Sequence, residues 1–273
     1  MNYLDFIPNA QLRPYIERYA VVEASVPIGE QILFFVPPSS TGQLAINCGL
    51  ANHKPNPVSG RLDQHFVTCL IGPFTRRHQY IIHGHVHTVV AYFTPTGMHT
   101  LLGVDLTSLA DQTIDFQTIL PADAHTLAGS VRSAEGDKAK VNQLELYLMS
   151  KLIGVKPLKR GLDTAVLLLQ TKPDTVSISE VAAATGLPQR TLERRFREAT
   201  GLRMKQFSRI NRFLVIRSAI VSGQIRSWED LLNQGGYYDQ SHYIKEFKQF
   251  TGQPPSAYFA HNIGFDNFLL KSP

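Results

Sequence analysis

One supersecondary unit is written twice in the second half of this 273-residue chain. Ser177-Ile178-Ser179-Glu180 and Ser227-Trp228-Glu229-Asp230 each offer a serine as helix N-cap with an acid three residues on, the pattern of a capping box. Gly186 and Gly236 each follow a short helical stretch, 50 residues apart. Phe196-Arg197-Glu198-Ala199-Thr200-Gly201 then aligns with Phe247-Lys248-Gln249-Phe250-Thr251-Gly252 at an offset of 51, which Phe207 and Tyr258 keep. Two short helices joined by a tight glycine-containing turn form a helix-turn-helix unit. The chain therefore encodes two such units, each closed by Thr-Gly.

The second helix of such a unit must hold two faces apart, one for the core and one for a groove. With 3.6 residues per turn, Arg190, Arg194 and Arg197 fall within about 60° of one another, with Glu193 beside them. Leu192, Phe196 and Ala199 fall on the opposite side. Gln189 stands at the helix start, where base-edge contacts are made in this geometry. In the second copy Tyr243, Ile244, Phe247 and Phe250 form the inner face. Ser241, His242, Lys245, Glu246 and Gln249 point away, with Lys248 at the flank. Between the copies, Met204 to Ser222 reads as one long helix, with Phe207, Ile210, Leu214 and Val221 inward. Arg203, Lys205, Arg209, Arg212 and Arg217 decorate its outside. A continuous helix would fix the spacing of the two units, which is about 34 Å if they meet successive major grooves on one face.

Charge follows the same division. Residues 1–155 carry ten Lys/Arg against twelve Asp/Glu, and residues 156–273 carry seventeen against ten, within a net charge of +5. A basic half behind a mildly acidic one suggests that the second half acts on a polyanion, the alternative on charge alone being a solvated helical surface. At 43% hydrophobic and 18% charged residues the chain is neither disordered nor collagen-like. Cys48 and Cys69 are too few for a disulfide scaffold and read as small core residues. No apolar run approaches a membrane span, the N-terminus carries no secretory pattern, and the expected location is the cytoplasm.

The first half reads as strands: Gln31–Val36, Gln43–Cys48, Phe66–Ile71, and Tyr80–Phe93 with Gly84 at a bend. Short apolar runs punctuated by Gly and Pro suggest a small barrel or sandwich whose mouth can hold a ligand, with Phe34, Tyr80, Tyr92 and Phe93 as candidate contacts. From about Gly97 the pattern becomes helical. Val141, Leu144, Leu148 and Leu152 make one stripe in the 138–153 segment, to be packed on its own domain or used as a homodimer seam. Val155-Lys156-Pro157 ends that helix and marks a boundary between residues 1–155 and 156–273.

From about Leu158 to His261 the chain resembles the DNA-binding domain of the AraC/XylS transcription regulators. The resemblance rests on Gly235-Gly236-Tyr237 through Phe247-Lys248-Gln249-Phe250-Thr251-Gly252-Gln253-Pro254-Pro255-Ser256-Ala257-Tyr258. Tyr237, Leu232 and Ile244-Lys245 depart from the usual Phe, Ala and Ser-Arg; lysine keeps the charge but lacks the planar fork that reads guanine. The first half is similar to the barrel-type sensor domain that often precedes this module, in Gly72-Pro73-Phe74, Phe93-Thr94-Pro95-Thr96-Gly97 and Leu101-Leu102-Gly103-Val104. The resemblance implies a two-domain α+β chain. A cupin-like β-barrel with flanking helices would precede an all-α domain of seven helices, with two helix-turn-helix units joined by a long helix. It also implies binding to double-stranded promoter DNA and response to a small-molecule effector. The expected DNA contacts are Gln189, Arg190, Glu193, Arg194, Arg197, Gln240, Ser241, His242, Lys245 and Lys248.

A rival reading comes from His83-Gly84-His85-Val86-His87, where period two places three imidazoles on one strand face, as in barrel metalloenzymes. No Glu follows in that pattern's range, so exposed strand histidines are the expected reading, with no metal, no cofactor and no catalytic residue. No phosphate loop or nucleophile elbow supports an enzyme.

Overall fold

The computed structural model describes residues 2–27, 29–49, 66–82, 84–155, 161–173, 176–225, 230, 237 and 239–259, with the side chain of Phe34 excepted. His83, the second capping box at Ser227, Gly236 and the boundary at Lys156-Pro157 lie outside the described residues.

The first part is built on antiparallel strands: β1 (Asn2–Phe6), β2 (Ile16–Ser25), β3 (Ile32–Val36), β4 (Gln43–Asn47), β5 (Thr68–Ile71), β6 (His78–Ile82), β7 (His85–Phe93) and β8 (Thr113–Asp115). Six of them form one sheet in the order β1-β2-β7-β4-β5-β8, and β3 pairs with β6 in a separate ribbon. The sheet is cupin-like but open, with β1 and β8 as its edges, because the ribbon strands bond to each other and do not close the ring. Gly84 sits in the left-handed region, φ 65°, where the chain turns from β6 into β7.

Period two sorts the sheet into two faces. Tyr19 and Val21 align with Ala91 and Val89 across β2 and β7, and Leu44 and Ile46 lie on the far side of β7. These side chains, with Leu70 and Phe93, meet α1 (Gly97–Leu102), α2 (Pro121–Ser133) and α3 (Asp137–Lys151) in one core. The alternating positions Ala45, Cys69 and Val90 cluster on the opposite face with Phe66, Ile71 and Tyr92. Val141, Leu144 and Leu148 of α3 are buried in the sheet–helix core and Leu152 packs against it. That stripe is therefore consumed by its own domain and cannot serve as a dimer seam; the outward side of α3 carries Leu146, 61% exposed.

A second core begins at Leu162. It joins α4 (Leu162–Thr171), α5 (Ile178–Thr185), α6 (Gln189–Thr200), α7 (Met204–Val221) and α8 (Gln240–Thr251). The repeat survives in atomic detail. Thr200 and Thr251 donate their hydroxyls to the carbonyls of Phe196 and Phe247, four residues back, and also approach the carbonyls of Leu202 and Gln253. Gly201 and Gly252 follow at φ 74° and 75°, each donating its N–H at 2.8 Å to the carbonyl of Arg197 or Lys248. This is the left-handed helix stop that glycine adopts most readily. Phe196 meets Phe207 edge-on with centroids 5.2 Å apart, and Phe247 meets Tyr258 edge-on at the same distance.

Candidate nucleic-acid interface

The capping box that opens the first unit is complete. Ser177 Oγ accepts from the Glu180 N–H at 3.2 Å, and the Glu180 carboxylate accepts from the Ser177 N–H at 2.7 Å, which holds the Glu180 carboxyl below its usual range. Gly186 caps α5 at φ 66°, and Pro188 leads into α6.

On α6 the two faces separate as the spacing requires. Leu192, Phe196 and Ala199 are fully buried, while Gln189, Arg190, Glu193, Arg194 and Arg197 are exposed. The exposed face has internal order: the Gln189 side-chain amide donates to Glu193 at 2.8 Å, and Arg194 pairs with Glu198 at 2.6 Å. Arg197 lies close enough to Asp105 to help keep that carboxyl below its ordinary pKa. Burial of Asp105 works the other way, and hydrogen bonds from Thr107 contribute most of the lowering. Arg195, which the spacing did not single out, is half-buried.

On α8, Gln240, Ser241, His242, Lys245, Lys248 and Gln249 are exposed, and Asp239 caps the helix by accepting the His242 N–H at 2.7 Å. Glu246 does not point away as expected. It is 3% exposed and receives Arg209 Nε at 2.6 Å, Arg212 Nη2 at 2.5 Å and the Tyr237 hydroxyl at 2.6 Å. Burial alone would raise its pKa; these donors outweigh that and leave it below the usual carboxylate range. Arg212 and Arg217 are accordingly corrected from surface decoration to buried side chains. A lone charge at Arg212 or Glu246 would be costly, but the triad of Arg209, Arg212 and Glu246 spanning α7 and α8 satisfies it.

In the first domain, Tyr80 and Tyr92 come together on the face away from α1–α3. There burial pushes the Tyr80 phenol up to about 12, partly countered by a 3.5 Å contact with Thr113 Oγ1. Phe93 does not join them: it points into the helix-side core. Tyr92 carries a cation that the sequence did not suggest, the Arg18 guanidinium, 3.8 Å from its ring centroid and 2.7 Å from Asp5. No local pattern could have found this, since Arg18 and Tyr92 meet only through strand pairing. Of the histidines, His87 Nε2 lies 2.9 Å from Asp137, and His85 lies 3.2 Å from Ser25 Oγ and 3.7 Å from Glu23. Among the described residues no three potential ligands converge on a metal position.

A helix-turn-helix domain family matches residues 181–261, spanning both units. The second part of the chain thus carries a helix-turn-helix domain. A domain family of unknown function, DUF6597, matches residues 4–115 ahead of the helix-turn-helix domain. No curated protein matches the sequence. Among solved structures, ToxT from Vibrio cholerae in its P21 form is 11% identical over 89% of this chain and 98% of that one, with a TM-score of 0.49. The unsaturated fatty acid bound wild-type ToxT of strain SCE256 is 8% identical over 88% and 94%, with a TM-score of 0.47. ToxT of strain O395 is 9% identical over 93% and 99%, at 0.46. No helix among the described residues is long and apolar enough to cross a membrane.

Proposed function

We propose that this protein is an AraC-type DNA-binding transcription regulator, cytoplasmic and non-enzymatic, divided near residue 155 into a sensor and a reader. In the reader, Gln189, Arg190, Glu193, Arg194 and Arg197 of α6, and Gln240, Ser241, His242, Lys245 and Lys248 of α8, meet promoter DNA. The opposed faces of α6 carry this reading, because a cationic ridge stands free in solvent while its back is locked in the core. Phosphate neutralisation supplies affinity that falls with salt, and contacts to base edges supply specificity. Arg190 is the better candidate for a base, since Arg194 must first leave Glu198, an exposed pair worth at most about 0.5 kcal/mol. The sensor takes a small-molecule effector on the face where Arg18, Tyr80 and Tyr92 converge.

Footprinting on a duplex selected from a random pool tests the reader. Arg190→Ala should cost about 1–3 kcal/mol and relax the preference at one base pair. Unchanged affinity and pattern would remove Arg190 from the interface. Thermal-shift screening with small metabolites tests the sensor, since a ligand that prefers the native state raises its stability.

A further inference from the structure

The two domains touch at a repeated place. Pro73 Cγ and the Leu106 carbonyl oxygen crowd Gly201, where an added Cβ would come within 3.1 and 2.8 Å of them. The Arg77 guanidinium covers Gly252 in the same way, at 2.7 Å. The Arg77 N–H also donates at 2.9 Å to the Phe250 carbonyl in the last turn of α8. One short segment of the sensor, residues 73–77, thus seats against the equivalent glycine stop of each recognition helix.

The segment is anchored from behind. Asp111, at φ 59° the one described non-glycine residue in the left-handed region, accepts from the Thr75 N–H at 2.8 Å and hydroxyl at 2.5 Å, and lies 3.0 Å from His78 Nε2. Its own N–H donates to the Pro73 carbonyl. A non-glycine residue kept in that region is over-determined by its surroundings, as at switch elements. Two residues further along each of these two chain segments stand Tyr80 and Thr113, which touch at 3.5 Å on the proposed effector face. His78–Asp111 and Tyr80–Thr113 are therefore successive rungs between the same two chain segments.

We infer that residues 73–78 with Asp111 form the coupling element that transmits the state of the Tyr80 face to both recognition helices at once. The inference rests on reading that face as the effector wall. A shift of the Tyr80 rung moves the Asp111 rung, and the seats on Gly201 and Gly252 move with it, so the two reading heads are reset as a pair.

The test uses the full chain and the pool-selected duplex. In Asp111→Asn, which keeps shape and tolerance of positive φ, and separately in Arg77→Ala, the amide at residue 77 should lose protection from hydrogen exchange about tenfold or more, and duplex affinity should change several-fold. Tyr80→Phe should alter duplex affinity in the wild-type background and do so much less in Arg77→Ala. Unchanged protection at residue 77, unchanged affinity in both variants, or independent effects of Tyr80→Phe and Arg77→Ala would each overturn the inference. Because substitutions stand in for a ligand, a metabolite screen without a hit would count against the effector reading and not against the coupling.

Discussion

Removing the carboxylate of Glu246 should unlatch α8 from α7. Three donors converge on it, and they differ in what they can do when it is gone. Arg209, 36% exposed, can swing into water and lose little. Arg212 is 10% exposed in its side chain and the Tyr237 hydroxyl is buried, so both would be left in low dielectric. Loss of one hydrogen bond to a charged acceptor costs about 1.5–3 kcal/mol, and an uncompensated buried charge brings the total for Glu246→Ala to about 3–5 kcal/mol. Urea unfolding followed by far-ultraviolet circular dichroism would read this as a lower midpoint at similar slope. Replacing both Glu246 and Arg212 by Met should recover most of the loss, because a packed apolar pair avoids the desolvation of two ions. The matching exposed pair, Arg194–Glu198, should cost no more than about 0.5 kcal/mol when Glu198 becomes Ala. The reasoning is refuted if Glu246→Ala lies within that same half kilocalorie of wild type, or if the double Met variant is no better than the single Ala.

Two further outcomes follow from the same contacts. Gly201→Ala should destabilise more than Gly186→Ala: both glycines have positive φ, but only Gly201 has the Leu106 carbonyl and Pro73 where the methyl would go. The backbone strain common to both is about 1–2 kcal/mol, and thermal melts of the two variants would show whether the extra crowding is felt. Acid should weaken the fold through Glu246 and Asp111, both held below their ordinary carboxylate range by their donors against the opposing effect of burial. Groups with a depressed folded pKa give stability that is present above the unfolded value and lost as pH falls through the folded one. Midpoints should therefore drop below about pH 4.5, and a flat profile there would contradict the assignment.

The parts legible in the sequence are those whose causes are local. Ser177 with Glu180, Gly201 and Gly252 are written in neighbouring residues, and each forms the predicted cap. The apolar runs of β3, β4 and β5 lie within a residue or two of their expected bounds. By contrast β2 reads as Ile-Glu-Arg-Tyr-Ala-Val-Val-Glu-Ala-Ser, with charges interrupting its period, and it becomes a strand only because β1 and β7 pair with it on either side. Glu246 was misplaced for a similar reason: its partners sit a helix away, and a carboxylate taken alone belongs in water. Arg18 on Tyr92, and the seats of Pro73 and Arg77, are likewise products of tertiary approach.

The matched threonine and glycine ends of α6 and α8 imply a division of labour within each copy. What holds the helix in place lies on its inner side and at its terminus; what meets DNA in the proposed function lies on the outer side. Transplanting the outer residues of one helix onto the other is thus an engineering route to new operator preferences, with the scaffold left to look after itself.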